Sequence, residues 1–172
     1  HGHNDHNNLA AVLGDPEVLS SAGAYNIRGV HILARRTSHD SKGGAARGEN
    51  LVFQFRMAGV DVGHMGDIGE ECSAVLVDSI APVNVLMIPI GGTYTIDAEE
   101  AKEFVDRIMP DIVIPMHYKT KEHSFDIAKL NDFLELFDDE DIAYVDSDTV
   151  EFDRADFDGE STKVYVLERF SD

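Results

Sequence analysis

Short apolar stretches alternate with polar turns along the whole chain, and their periods differ. Tyr25 to Arg36 (YNIRGVHILARR) reads as one or two strands. Asn50 to Asp67 (NLVFQFRMAGVDVGHMGD) alternates apolar and polar residues on both sides of Ala58-Gly59, which predicts a β-hairpin whose second strand runs into a glycine-flanked HMGD. Val83 to Gly92 (VNVLMIPIGG) and Asp111 to Tyr118 (DIVIPMHY) are continuous apolar runs, the pattern of strands covered on both faces. Asp97 to Pro110 changes to a helical period. Ala101, Phe104, Val105 and Ile108 share one face, Asp97 and Glu100 stand in capping-box spacing, and Pro110 stops the helix. Ser124 to Phe137 (SFDIAKLNDFLELF) predicts a second amphipathic helix, and Asp15 to Gly23 (DPEVLSSAG) a short capped one with Pro16 in its first turn. Ala143 to Phe152 and Lys163 to Phe170 read as terminal strands. Hairpins first, then strands alternating with helices, predict an α/β fold with helices covering a sheet and functional loops at the strand ends.

Composition narrows the function. The 172 residues, 43% of them hydrophobic, suit a single domain over 1–172 with one core. Thirty-three acidic residues against 14 basic ones give a net charge of −19. Such a surface repels nucleic-acid phosphate and anionic membranes, so neither is an expected partner. It is tolerated best where salt screens it, so a halophilic source is expected; stability that fails to rise with salt would contradict this. The single cysteine, Cys72, allows no internal disulfide, reads as structural, and fits a cytoplasmic protein. No 18-residue apolar run and no signal-peptide core is present.

The candidate chemistry begins at the first residue. His1, His3, Asp5 and His6 form H-x-H-x-D-H in a glycine- and asparagine-rich loop. Imidazole and carboxylate are the usual ligands of Zn and related divalent ions. A merely histidine-rich terminus leaves the rest of the chain unexplained, because His39, His64 with Asp67, and His117 each stand where an apolar strand gives way to a loop. Several strand-end ligands converging on one sheet edge are what a binuclear site requires. His31 reads as packed within a strand, His123 as an exposed loop residue, and Asp40 as a loop cap rather than a base.

With these blocks in order, the chain resembles the metallo-β-lactamase superfamily, and within it the ascorbate-6-phosphate-lactonase-like hydrolases. HGHNDH is similar to the principal motif of that superfamily. SHDSKGGAARGEN, HMGDIGE, IGGTYTIDAEEA and IVIPMHY are similar to further blocks of the branch, covering residue 1 to about 120. The resemblance implies an αβ/βα four-layer sandwich with one or two divalent metals at a sheet edge, Zn first and Mn or Fe compatible. It implies that His1, His3 and His39 hold one metal, that Asp5, His6 and His117 hold the other, and that Asp67 bridges them. His64 is expected near substrate, and it replaces His39 as third ligand should His39 not ligate. The implied motif follows N-terminal strands that this chain lacks, so a companion N-terminal fragment is one expected partner, and a homo-oligomer is compatible with the sequence.

The expected reaction uses a metal-bound hydroxide, oriented by Asp67 or Asp5, to hydrolyse an ester, lactone or phosphodiester bond of a small anionic metabolite. Tyr94, Arg47 and Lys119 are the candidate substrate contacts, each with a plain loop role as the alternative. The rival functions are a non-catalytic metal- or ligand-binding protein on the same fold and a nuclease, which the acidic charge opposes.

Overall fold

The computed structural model describes residues 2–3, 6–121 and 125–168. Eight strands form one mixed sheet in the order β1-β2-β3-β4-β5-β6-β8-β7. They are β1 (Gly23–Ile27), β2 (Val30–Ser38), β3 (Glu49–Met57), β4 (Val60–His64), β5 (Val85–Pro89), β6 (Ile112–Met116), β7 (Ile142–Val145) and β8 (Lys163–Leu167). The first four are an antiparallel meander. The predicted hairpin is present, with Phe53 opposite His64 and Met57 opposite Val60 around the Ala58-Gly59 turn. From β4 onward the pairing is parallel, β4 to β5 to β6 to β8, with β7 on the outer edge.

This topology fixes where a site forms. Two antiparallel steps separate β2 from β4, so β2 runs in the same direction as β4, β5 and β6. The C-terminal ends of all four strands therefore lie on one edge of the sheet, where ligands of α/β folds collect.

Helices α1 (Ala74–Ile80), α2 (Ala98–Ile108) and α3 (Leu130–Leu134) bury Ile80, Phe104, Val105 and Phe133 with Val52, Leu86, Ile88, Val113 and Val164 of the strands in one core. The capping box expected at α2 is present: the Asp97 carboxylate accepts the Glu100 N–H, and the Glu100 side chain accepts the Asp97 N–H, each at 2.9 Å. On the sheet face away from the helices, Leu51, Phe53 and Phe55 of β3 are half-buried and line a cavity with Val18, Leu19 and Met116. No helix among the described residues is long and apolar enough to cross a membrane.

Two expected helices differ. Asp15 to Ala22 is irregular, and only a 3-10 turn at Leu9–Ala11 precedes β1. The stretch offers too few turns to hold a helix without a packed face, and Val18 is 52% exposed. In the second amphipathic stretch only Leu130–Leu134 is helical. Residues 125–128 are irregular, and Ala128 donates its N–H to Gly91 O and accepts that of Lys119, each at 2.8 Å. β7 also stops at Val145, seven residues short of the predicted strand end at Phe152. His31 lies in β2 as expected but is exposed rather than packed.

Candidate metal centre

Each strand end contributes one chemical group. β2 runs out into His39, which is 2% exposed, and β4 into Met65-Gly66-Asp67, where Asp67 is 6% exposed. The N-terminal loop brings His6 and His3 to the same place. His6 Nε2 lies 3.1 Å and His39 Nε2 3.6 Å from Oδ2 of Asp67. The His3 ring lies 5.1 Å from the His39 ring, centroid to centroid. His117 follows β6 in a left-handed conformation, with φ of 54°.

Gly91, at the end of β5, makes room for it. A β-carbon on Gly91 would lie 2.1 Å from the His117 carbonyl oxygen, so only glycine lets the two strand ends approach this closely.

Asp67 is fixed through its backbone. Its N–H donates to Oδ1 of Asn50 at 3.0 Å, and Asn50 Nδ2 donates to Thr37 Oγ1 and Met65 O at 2.9 Å each. Gly66 stands between them in a left-handed conformation, and a β-carbon there would lie 2.4 Å from Asn50 Oδ1. Sequence reading missed Asn50. The one available signal was a polar residue at the start of a strand whose same-face neighbours, Val52 and Gln54, turn toward the helix-covered side.

Electrostatics favour neutral imidazoles. Burial lowers the pKa of His39, further helped by His3 and Arg47 and opposed by Asp67. Burial also lowers that of His64, against the pull of Asp67. Nδ1 of His64 accepts the Gly66 N–H at 3.0 Å, which leaves its proton on Nε2.

The loop after His39 is built around Asp40, which caps it as the sequence suggested. Its Oδ1 accepts the N–H groups of Lys42 and Gly44 at 2.8 and 2.9 Å, and its Oδ2 those of Ala46 and Arg47 at 2.9 and 2.7 Å. Burial pushes the Asp40 carboxyl up, but the Arg47, Lys42, Ala46 and Gly44 N–H groups outweigh it and hold the pKa at about 2.

A cavity of about 550 Å³ opens here, lined by His3, His39, Asp67 and His117 together with Arg47, Tyr94, Phe125 and Ile127. Phe125 and Ile127 were not foreseen; they lie in an irregular segment that the Ala128 N–H ties to Gly91 O in the loop after β5. A second cavity of about 1120 Å³ shares Asp67 and His117 and adds His6 and His64. Lys119 is exposed, bridges to Lys129 and lines neither cavity. His1, Asp5 and His123 lie outside the described residues.

The residues gathered at this edge fit a divalent metal. They are imidazole nitrogens and carboxylate oxygens, the donors that Zn, Mn and Fe accept. Nδ1 of His117 is buried and has no hydrogen-bond partner among the described residues. Among those residues no three His, Cys, Asp or Glu side chains are already arranged as a metal cage.

Comparison with known proteins agrees with this architecture. A family model described as a beta-lactamase superfamily domain matches residues 1–117. A crystal structure from Thermotoga maritima, described as a candidate Zn-dependent hydrolase of the metallo-beta-lactamase superfamily, is 38% identical, with a TM-score of 0.79 over 97% of this chain and 78% of that one. A protein of Carboxydothermus hydrogenoformans, named a metal-dependent hydrolase, is 32% identical over 102 residues, 57% of this chain and 45% of its own. One of Methanoregula boonei with the same name is 30% identical over 145 residues, 71% of this chain and 65% of its own. The chain spans about half the length of most of the curated relatives it matches.

Proposed function

The chain belongs to the beta-lactamase superfamily, and on that premise we propose that it is a metal-dependent hydrolase acting on an ester, lactone or phosphodiester bond of a small anionic metabolite. The observation that carries the reading is the convergence of His6, from the N-terminal loop, and His39, after β2, on one carboxylate oxygen of Asp67, after β4. Membership implies divalent metal use, and Zn is the first expectation, with Mn and Fe compatible with the same donors. In this reading His1, His3 and His39 would hold one ion and Asp5, His6 and His117 a second, with Asp67 as the ligand that would serve both.

When bound, such ions make water a nucleophile near neutral pH and polarise the bond under attack. The protein's own residues do the positioning. Asn50 fixes the Asp67 backbone, so the carboxylate is aimed before any ligand arrives. Burial lowers the His39 pKa, which favours the neutral ring and leaves one of its nitrogens able to donate to a metal. His64, whose Nδ1 accepts the Gly66 N–H, has Nε2 as a hydrogen-bond donor on the side of the larger cavity. Phe125 and Ile127 give the smaller cavity an apolar portion that displaces water.

The test is a panel of nitrophenyl esters, lactones and bis-nitrophenyl phosphate, assayed after chelation and after return of Zn or Mn. Turnover should appear only with metal and fall about a hundredfold or more in Asp67→Ala and His39→Ala. Turnover that survives chelation or both substitutions would refute the reading.

A further inference from the structure

We propose that Arg47, lying over the ring of Tyr94, is the anion-recognition group of this site and selects substrates that carry a carboxylate or phosphate away from the bond to be cleaved. The inference rests on the reading of the 550 Å³ cavity as the active site, and it adds which residue reads the substrate.

Arg47 differs from the five cations of the chain that are held in ion pairs. Arg36 pairs with Glu49, Arg56 with Asp61, Arg107 with Glu103, Lys102 with Asp106 and Lys163 with Asp141. With 33 acidic residues to 14 basic ones, a partner is easy to find. The Arg47 guanidinium nevertheless forms no ion pair or hydrogen bond with the described residues. Its contact is the Tyr94 ring, 5.3 Å from the guanidinium carbon to the ring centroid. It is also the one Lys or Arg among the described residues that line this cavity.

The geometry suits recognition of an oxyanion. A guanidinium placed over an aromatic face engages its π surface there and keeps its in-plane N–H groups for a bidentate partner, the arrangement that carboxylate and phosphate oxygens match. Both halves of the stack are held from behind. The Arg47 N–H is tied to Asp40, and the loop closes on the metal centre through Gly48 O, which accepts the His39 N–H at 3.0 Å. On the other side Thr93 Oγ1 donates to Asp126 O at 3.0 Å, which ties the Tyr94 loop to the segment carrying Phe125 and Ile127. Little order then remains to be imposed when a ligand binds. The ligand this describes has one oxyanion for Arg47 and a short apolar stretch for Phe125 and Ile127.

Binding can be read without turnover. Metal-free protein is titrated with glutarate, with monobutyl phosphate and with neutral butyramide, following the arginine Nε–H signals by NMR. One of the two anions should shift the Arg47 signal and bind at least about tenfold more tightly than butyramide. Arg47→Gln should lose that preference, Arg47→Lys should recover part of it, and Arg154→Gln, the same charge loss on an exposed turn, should keep it. Because Arg47 contributes its cap through the backbone, Arg47→Gln keeps the Asp40 loop, and its melting temperature checks this. A preference for glutarate identifies a carboxylate substrate, and one for monobutyl phosphate a phosphorylated one. Equal anion binding by wild type and Arg47→Gln, or no preference over butyramide, overturns the proposal. Missing esterase, lactonase and phosphodiesterase activity with anion binding intact would count against the hydrolase reading alone.

Discussion

Asn50 holds Asp67 by a 3.0 Å hydrogen bond from the Asp67 N–H to its side-chain oxygen, and both residues are buried. The same amide bonds Thr37 of β2 and Met65 beyond β4, so one side chain sets the spacing of two strand ends that carry His39 and Asp67. Asn50→Ala leaves the Asp67 N–H unsatisfied in a buried place. It should cost about 1–3 kcal/mol of stability and weaken metal affinity about 10- to 100-fold. Thermal unfolding and chelator competition measure the two. Lost stability with unchanged metal affinity would reduce Asn50 to a structural role.

Asp40 governs the adjacent loop. Asp40→Ala should remove the acceptor for the amides of Lys42, Gly44, Ala46 and Arg47 and speed their hydrogen exchange about tenfold or more, with the β-strand amides little changed. Unchanged exchange at those four amides would show that the loop is held by other contacts.

Gly91→Ala tests the approach of β5 to β6. The added methyl group meets the His117 carbonyl and must push it away, at about 1–3 kcal/mol. A lowered melting temperature together with reduced metal uptake is expected. A fully stable, metal-binding variant would mean that His117 is not held by this contact.

Cys72 supplies a pH dependence away from the site. Burial pushes its thiol pKa up, and Arg107, which donates to Sγ at 3.7 Å, opposes that without cancelling it. A raised pKa leaves less thiolate at pH 8, so alkylation by iodoacetamide should be slower than that of free cysteine and should keep rising above pH 9. Faster labelling than free cysteine at pH 8 would contradict the shift.

The sequence carried the parts of this fold that depend on local pattern. The Ala58-Gly59 hairpin, the apolar runs of β5 and β6, and the Asp97-Glu100 capping box could all be read because alternation, continuity and capping are written in neighbouring residues. The stretch after Ser124 could not. Its apolar spacing is helical, but hydrogen bonds from Ala128 to Gly91 and from Lys119 to Ala128 tie residues 125–128 to neighbouring loops and leave them irregular. The ligand-bearing strand ends were visible as histidines and an aspartate after apolar runs. Asn50 was not, because its meaning depends on β2 lying beside β3 and on the backbone after β4 returning to it. Lys119 looked equivalent to Arg47 as a loop cation, and only the tertiary arrangement separates them: Arg47 lines the cavity, while Lys119 faces solvent.

A metal centre gathered around Asp67 at this sheet edge must bind divalent ions, and equilibrium metal binding measures that. Chelator-treated protein is titrated with Zn and with Mn, in wild type and in Asp67→Ala, with bound metal measured by mass spectrometry after dialysis. One or two equivalents are expected in wild type and at least about a hundredfold weaker binding in Asp67→Ala, with the fold retained by circular dichroism. Wild type that binds no more metal than folded Asp67→Ala would contradict it.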